Sequence, residues 1–398
     1  VLRAYNYYEL YTKFGDVPYT TKVLSIKESM SIARTDRATV IANMLADLDE
    51  VINGNYLPAS YDADNKGRIT RWAAMAIKAK IYLFEGNWTQ VKNITSTIMT
   101  EGGFRLFGSY AGLFEIANEY NSEVILDAQY RPTSREHQMM YAFLPPSLGG
   151  YSQLSPLQEL VDSYIMLDGK TIRETGTSFD ESNPYANRDP RLKATVMYTG
   201  NSYTLADGTE VVINCEKGEG KDGYGVGSDC SATGYYIKKY WDNTYRATLY
   251  SGLNPILIRY ADILLMNAEA LAELGELDKT AWDATIKPIR DRAGFTLASA
   301  VEFPEGASKD KLIEIVRNER RSELALEGHR HKDIIRWRIA DDVLNGWCHG
   351  LKTNEVVGTD NGYVRVENRA FNANKHYLWP IPQAERDLNG NLVQNPNW

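Results

Sequence analysis

The sequence predicts a mainly α-helical protein: a tetratricopeptide-like helical-repeat scaffold carrying a long loop-rich insertion with a few short strands. Three observations carry that expectation. Apolar residues recur at helical spacing in two separated regions of the 398-residue chain. Short glycine-containing breaks split each region into helix pairs, the pattern of stacked helical repeats. Between them, residues 103–250 alternate brief apolar runs with Gly, Pro, Ser, Asn and Tyr.

Taken in order, Val1 to Tyr8 reads as the middle of a helix with no cap before it. We therefore expect a preceding N-terminal portion, which would hold any signal peptide or lipid-anchor cysteine. Arg37 to Ile52 is a helix behind a Thr35-Asp36 cap, and Gly67 to Gly86 is a second, with Trp72, Ala76, Ala79 and Leu83 on one stripe. Trp88 to Thr100 follows the Gly86-Asn87 break. In the second region, Pro255 to Leu274 aligns Leu257, Ala261, Leu264, Ala268 and Leu271, and Gly275 to Asp278 turns into Thr280 to Arg292. A further helix is expected over Lys309 to Arg338.

The insertion offers Val124 to Ala128, Thr195 to Tyr198 and Val211 to Asn214 as short strands. Loops of this length held on a rigid scaffold display binding groups. Cys215 and Cys230 bracket its Gly- and Asp-rich part, where a disulfide would add about 3 kcal/mol in an oxidising compartment; two free thiols are the alternative. The tail after Arg338 reads as irregular, since Pro380-Ile381-Pro382 and Asn395-Pro396-Asn397 cannot continue helices. The expected parts are 1–102 helical repeat, 103–250 ligand-binding insertion, 251–340 second helical repeat and 341–398 irregular segment, forming one structural unit.

Composition narrows the function. With 44 basic against 52 acidic side chains, net charge −8, the chain lacks the basic face of a nucleic-acid binder. Its apolar runs, such as Ile263 to Met266, fall far short of the roughly 20 residues that cross a bilayer. Asp62 to Gly67 opens like a calcium loop, but Ala73 stands at the twelfth position, so a capping turn is the better reading. Walker, G-x-S-x-G and H-E-x-x-H patterns are missing, and His329 and His331 fall on different helix faces, so neither a cofactor nor a metal is expected.

Arg317 to Asp333 is unusual for an amphipathic helix. Glu319 and Glu323 sit one turn apart on a stripe with Leu312 and Leu326. Carboxylates on an apolar stripe are either paired with arginines or do chemistry. Pairing is the expectation; two carboxylates for glycoside hydrolysis is the alternative.

Four segments together carry a resemblance. They are Arg3 to Leu10 with Phe14-Gly15-Asp16-Val17-Pro18-Tyr19, the helix Ile258 to Ala270, the Glu- and Arg-rich segment above, and Tyr377 to Pro382 with Asn395-Pro396-Asn397-Trp398. In order and spacing they resemble the SusD/RagB family over almost the whole chain; the family's lipoprotein signal and first helices are not in this text. The resemblance implies tetratricopeptide-like helix pairs and a loop-rich half. It also implies a lipid anchor on the outer face of a Gram-negative outer membrane. The implied partner is a SusC-like TonB-dependent transporter, to which family members pass oligosaccharides, or peptides in RagB-like branches, without cleaving them.

Sugar rings stack on aromatic faces while neighbouring polar groups bond their hydroxyls. The chain has 26 Tyr and 8 Trp against 10 Phe, an excess suited to half-wet surfaces. Trp72, Tyr82, Trp88, Tyr260 and Trp282 lie on helices and are read as packing residues. The loop candidates are Tyr130, Tyr141, Tyr203, Tyr224, Trp241 and Tyr245, with Tyr151 and Tyr235 beside them. Asp222, Arg131 and Gln129 are the candidate hydroxyl partners. Tyr224, inside Gly223-Tyr224-Gly225-Val226-Gly227, is the most exposed in expectation.

Overall fold

A computed structural model describes residues 1–244 and 250–398. The fold is mainly α with short strands, and the chain divides into two compact units. The first comprises residues 1–102, 329–345 and 370–398; the second comprises 103–328 and 346–369. No helix among the described residues is long and apolar enough to cross a membrane.

In the first unit, helices Leu2–Phe14, Arg37–Asn53, Arg71–Phe84 and Trp88–Glu101 pack in sequence order. Asp36, Thr70 and Asn87 cap the last three by accepting backbone N–H groups of the first turn, as their side-chain oxygens are suited to do. Arg71–Phe84 buries Ala73, Ala74, Ala76 and Ala79, whose small side chains let neighbouring helices approach. Gly86, at φ +70°, makes the sharp turn into Trp88–Glu101. Asp62 caps a single 3-10 turn, Ala63–Asn65.

This unit also explains two of the four segments that carry the resemblance. The Trp379 N–H bonds the Lys13 carbonyl at 2.7 Å, and the Asn395 amide bonds the carbonyls of Phe14 and Trp379. Arg34 reaches Asp16 O, Phe14 O, Val393 O and Asn395 Oδ1. The first and last segments are one knot of hydrogen bonds.

In the second unit, Tyr260–Leu274 packs on Lys309–Glu323. Three boundaries differ from the sequence reading. Ile256–Arg259 is a strand, antiparallel to Val124–Asp127, so the expected helix starts only at Tyr260. Thr285, at φ −126° and ψ −71°, splits the next helix into Lys279–Ala284 and Ile286–Ala293. Lys309–Glu323 ends where Leu326 takes φ +64°, so Leu326 is off the Glu319/Glu323 stripe, and a separate helix, Arg330–Arg336, follows within the first unit.

The tail reading missed a sheet. Gly346–Lys352 and Thr359–Asp360 both pair with Tyr363–Arg369. Asn361-Gly362, with φ +52° and +87°, forms the two-residue turn that hairpin twist favours, and this dipeptide was the available signal. The strands expected in the insertion exist as Val124–Asp127, Val196–Met197 and Glu210–Val212.

Candidate functional site

Many tyrosines of the insertion build its core. Tyr203 is fully buried and donates its hydroxyl to Ile237 O at 2.7 Å; Tyr235 donates to Gln158 Oε1 and Tyr236 to Asp222 O, both at 2.5 Å. Each ring packs while its hydroxyl finds an acceptor, which is how a core uses tyrosine in place of phenylalanine. Asp222 is buried as well, its carboxylate accepting the Ser147 N–H at 2.8 Å. Tyr224 is half-buried against this core despite its flanking glycines, and Tyr245 lies outside the described residues. Cys215 and Cys230 are free thiols, and burial pushes that of Cys215 up to about 12.

Tyr141 has a different setting. It lies on the five-residue helix Met139–Phe143, which ends before Pro145-Pro146. Gly149, at φ +83°, reverses the chain, and a Cβ on Gly150 would sit 2.1 Å from Leu144 O, so only glycine fits. The return brings Tyr151 N to Tyr141 O at 2.9 Å and Leu154 N to Ala142 O at 2.8 Å. The two tyrosine rings stack with centroids 4.1 Å apart and planes 25° from parallel. Tyr151 is 41% and Leu154 59% exposed, so the pair forms a solvent-facing aromatic shelf. The Tyr151 hydroxyl first, with burial and the charge of Asp229 adding, raises the Tyr141 phenol above its ordinary value. Asp222 ties the glycine-rich loop to this turn through Ser147.

Tyr130 and Arg131 open a hairpin. The half-buried Tyr130 ring meets His137 edge-on at 4.7 Å, and the Arg135 guanidinium lies 5.4 Å from its centroid. Gln129 accepts from Tyr120 at 2.6 Å and donates to Asp127. Arg135, absent from the sequence candidates, was signalled by Arg131-Pro132-Thr133-Ser134-Arg135, a turn composition between two like residues.

Trp241 borders a cleft of about 380 Å³ that Phe114, Glu115, Lys238 and Asn243 also line. Its indole N–H donates to Thr204 O at 2.8 Å, and its ring tilts against Tyr203 at 5.0 Å. Lys238 bonds Asn201 Oδ1, and burial lowers its pKa. The arrangement offers a fixed ring, an amide and an ammonium to a small polar ligand.

Glu319 and Glu323 are 1% and 0% exposed. Arg191 reaches Glu319 at 2.6 Å and Glu323 at 2.9 Å; Arg290 meets Glu319 at 2.7 Å, and Arg259 meets Glu323 at 2.6 Å. Burial alone would raise both carboxyls, but these arginines, with Arg292 at Glu323, hold them below the usual range. Without solvent access or a proton to give, the two cannot act as the acid and nucleophile of a glycosidase. The alternative reading of this helix is thereby removed. Arg259 also joins Glu123 and Glu327, and Asp262 pairs with Arg320, so the two middle segments that carry the resemblance meet in this lattice.

A cleft of about 850 Å³ in the first unit includes Arg34 and Asn395, whose polar groups already bond one another.

Known proteins agree with this architecture. The chain is 28% identical to SusD-like protein P25 of Formosa agariphila over 99% of its own length and 70% of that protein's. It superposes on a SusD-like carbohydrate binding protein from Bacteroides fragilis with TM-score 0.87 and 30% identity, covering 98% of this chain and 78% of that one. A second SusD-like protein from B. fragilis gives 0.83 and 27%, covering 100% and 78%. Residues 1–83 match a family described as "Starch-binding associating with outer membrane". Residues 113–398 match the SusD family, and the chain belongs to it.

Proposed function

We propose that this protein captures glycans at the cell surface and delivers them, uncleaved, to a SusC-like TonB-dependent transporter. The observation that carries the reading is the exposed Tyr141–Tyr151 stack, which offers flat rings to sugar faces. Family membership and the carbohydrate-binding B. fragilis relative support it. The Trp241 cleft is a second contact region, and Tyr130 with Arg131 a third. Binding needs neither metal nor cofactor in this reading. The protein is held to the outer face of the outer membrane by a lipid anchor.

Sealing of Glu319 and Glu323 by arginines supports binding without hydrolysis. The test is calorimetric titration of the purified chain with a panel of polysaccharides, with reducing ends assayed in parallel. Saturable binding and no new reducing ends are expected. Released products would overturn the binding-only reading, and saturable binding of peptides with silent polysaccharides would replace glycan with peptide cargo.

A further inference from the structure

Arg131 and Arg135 face each other across an isolated antiparallel bridge, with Arg131 N to Arg135 O at 2.8 Å and Arg135 N to Arg131 O at 2.9 Å. Residues that exchange both hydrogen bonds lie directly opposite, and their side chains leave the ribbon on the same side. Two like charges in that arrangement repel, and a fold normally relieves the repulsion with a carboxylate. Here both guanidinia are exposed, and neither has an ion-pair partner among the described residues.

The neighbouring acids bond neutral groups and make no ion pair with either arginine. Glu136 accepts the Thr133 N–H at 2.9 Å, and Asp127 accepts from Gln129 and Asn254. His137 is fixed between Met139 N at its Nδ1 and Leu253 O, 2.8 Å from its Nε2.

The pair is also held rigidly. Tyr130 N bonds Asn254 Oδ1 at 2.6 Å, and His137 exchanges two backbone bonds with Ser251, clamping both ends of the hairpin. Gly252 backs against its tip so closely that a Cβ would lie 2.3 Å from Pro132 N. Two guanidinia without a carboxylate on a backbone-clamped hairpin, one of them lying over the Tyr130 ring, suit an oxyanion carried on a sugar.

We propose that Arg131 and Arg135 form a subsite for acidic glycans, each guanidinium binding a carboxylate or sulfate of the polymer beside Tyr130. This rests on the glycan-capture reading and names its substrate class. The net charge of −8 sharpens it, because a polyanion gains nothing from the protein's overall field and needs a local cationic pair.

The test compares four polymers on the purified chain by calorimetry and affinity gels: polygalacturonate for carboxylate, iota-carrageenan for sulfate, and amylopectin and xylan as neutral controls. At least one acidic polymer is expected to bind tenfold or more tighter than either neutral one. In the Arg131→Gln/Arg135→Gln variant that affinity is expected to fall by about tenfold per guanidinium, with the melting temperature unchanged or raised. Lysine at both positions restores part of it, as a point charge without the fork. Which acidic polymer responds identifies the oxyanion. Equal affinity of wild type and double glutamine variant for the acidic polymers overturns the subsite. So does tighter binding of a neutral polymer, though glycan capture then stands. Silence of all four polymers overturns both readings.

Discussion

The second unit concentrates arginine in two places and treats it in opposite ways. Arg191, Arg259, Arg290 and Arg292 turn inward on Glu123, Glu319 and Glu323, all sealed from solvent. Arg131 and Arg135 turn outward, opposed to each other and without a carboxylate. Desolvated charges are tolerable only when paired, whereas exposed charges lose little by waiting for a partner. The difference teaches that partner supply, more than residue type, separates a charge that holds the fold together from one poised for a ligand.

Removing one inward carboxylate breaks the comparison most severely. Glu323→Ala removes the carboxylate that Arg191, Arg259 and Arg292 share, leaving the buried lattice one negative charge short, and is expected to cost about 3–5 kcal/mol, read as a lowered denaturant midpoint or loss of soluble protein. A variant as stable as the wild type would show that the lattice is not cohesive. Gly252→Ala presses a methyl group into the clamped hairpin and should cost about 1–3 kcal/mol while weakening acidic-glycan binding, although both arginines remain. Unchanged affinity there would mean that clamping is irrelevant.

At the outward pair, charge removal is expected to move stability by no more than about 0.5 kcal/mol, in contrast to Glu323. Urea unfolding of Arg131→Gln/Arg135→Gln measures it, and a large loss would mean that those side chains do structural work.

An intermediate cluster gives the smallest effect. His349 Nδ1 lies 2.7 Å from Glu159 and Nε2 lies 3.0 Å from Asp360, which Arg365 also holds. Partial burial would lower the imidazole pKa, but bonds to Asp360 and Glu159 outweigh it and raise the value. A raised pKa stabilises the fold below the unfolded value of about 6.5, and that contribution fades as pH climbs through the folded value. The melting-temperature advantage of wild type over His349→Gln should therefore shrink between pH 5.5 and 8.5. A constant advantage would mean that the proton has no role.

Much of the scaffold was readable because helix caps and apolar spacing act locally. Asp36, Thr70 and Asn87 mark real helix starts, and the Glu319/Glu323 stripe announced its arginines. Ile256–Arg259 reads as helix in sequence because a short apolar run fits either period; its partner, Val124–Asp127, lies more than 120 residues away. Aromatic exposure was the least legible property. Tyr203 and Tyr151 both stand among polar and small residues in the sequence, and only tertiary packing buries the first, on the strand Ser202–Thr204, while leaving the second in solvent. Opposition of Arg131 and Arg135 likewise needed the bridge, which the intervening Pro-Thr-Ser hinted at without fixing.

The central claim, that tyrosines on the loops of the second unit grip a sugar chain, is tested most directly by affinity electrophoresis of wild type and Tyr141→Ala/Tyr151→Ala in the same polysaccharide gels. The account predicts that a glycan retarding the wild type will release the double variant, while both unfold at similar temperature. Equal retardation of the two proteins would contradict it.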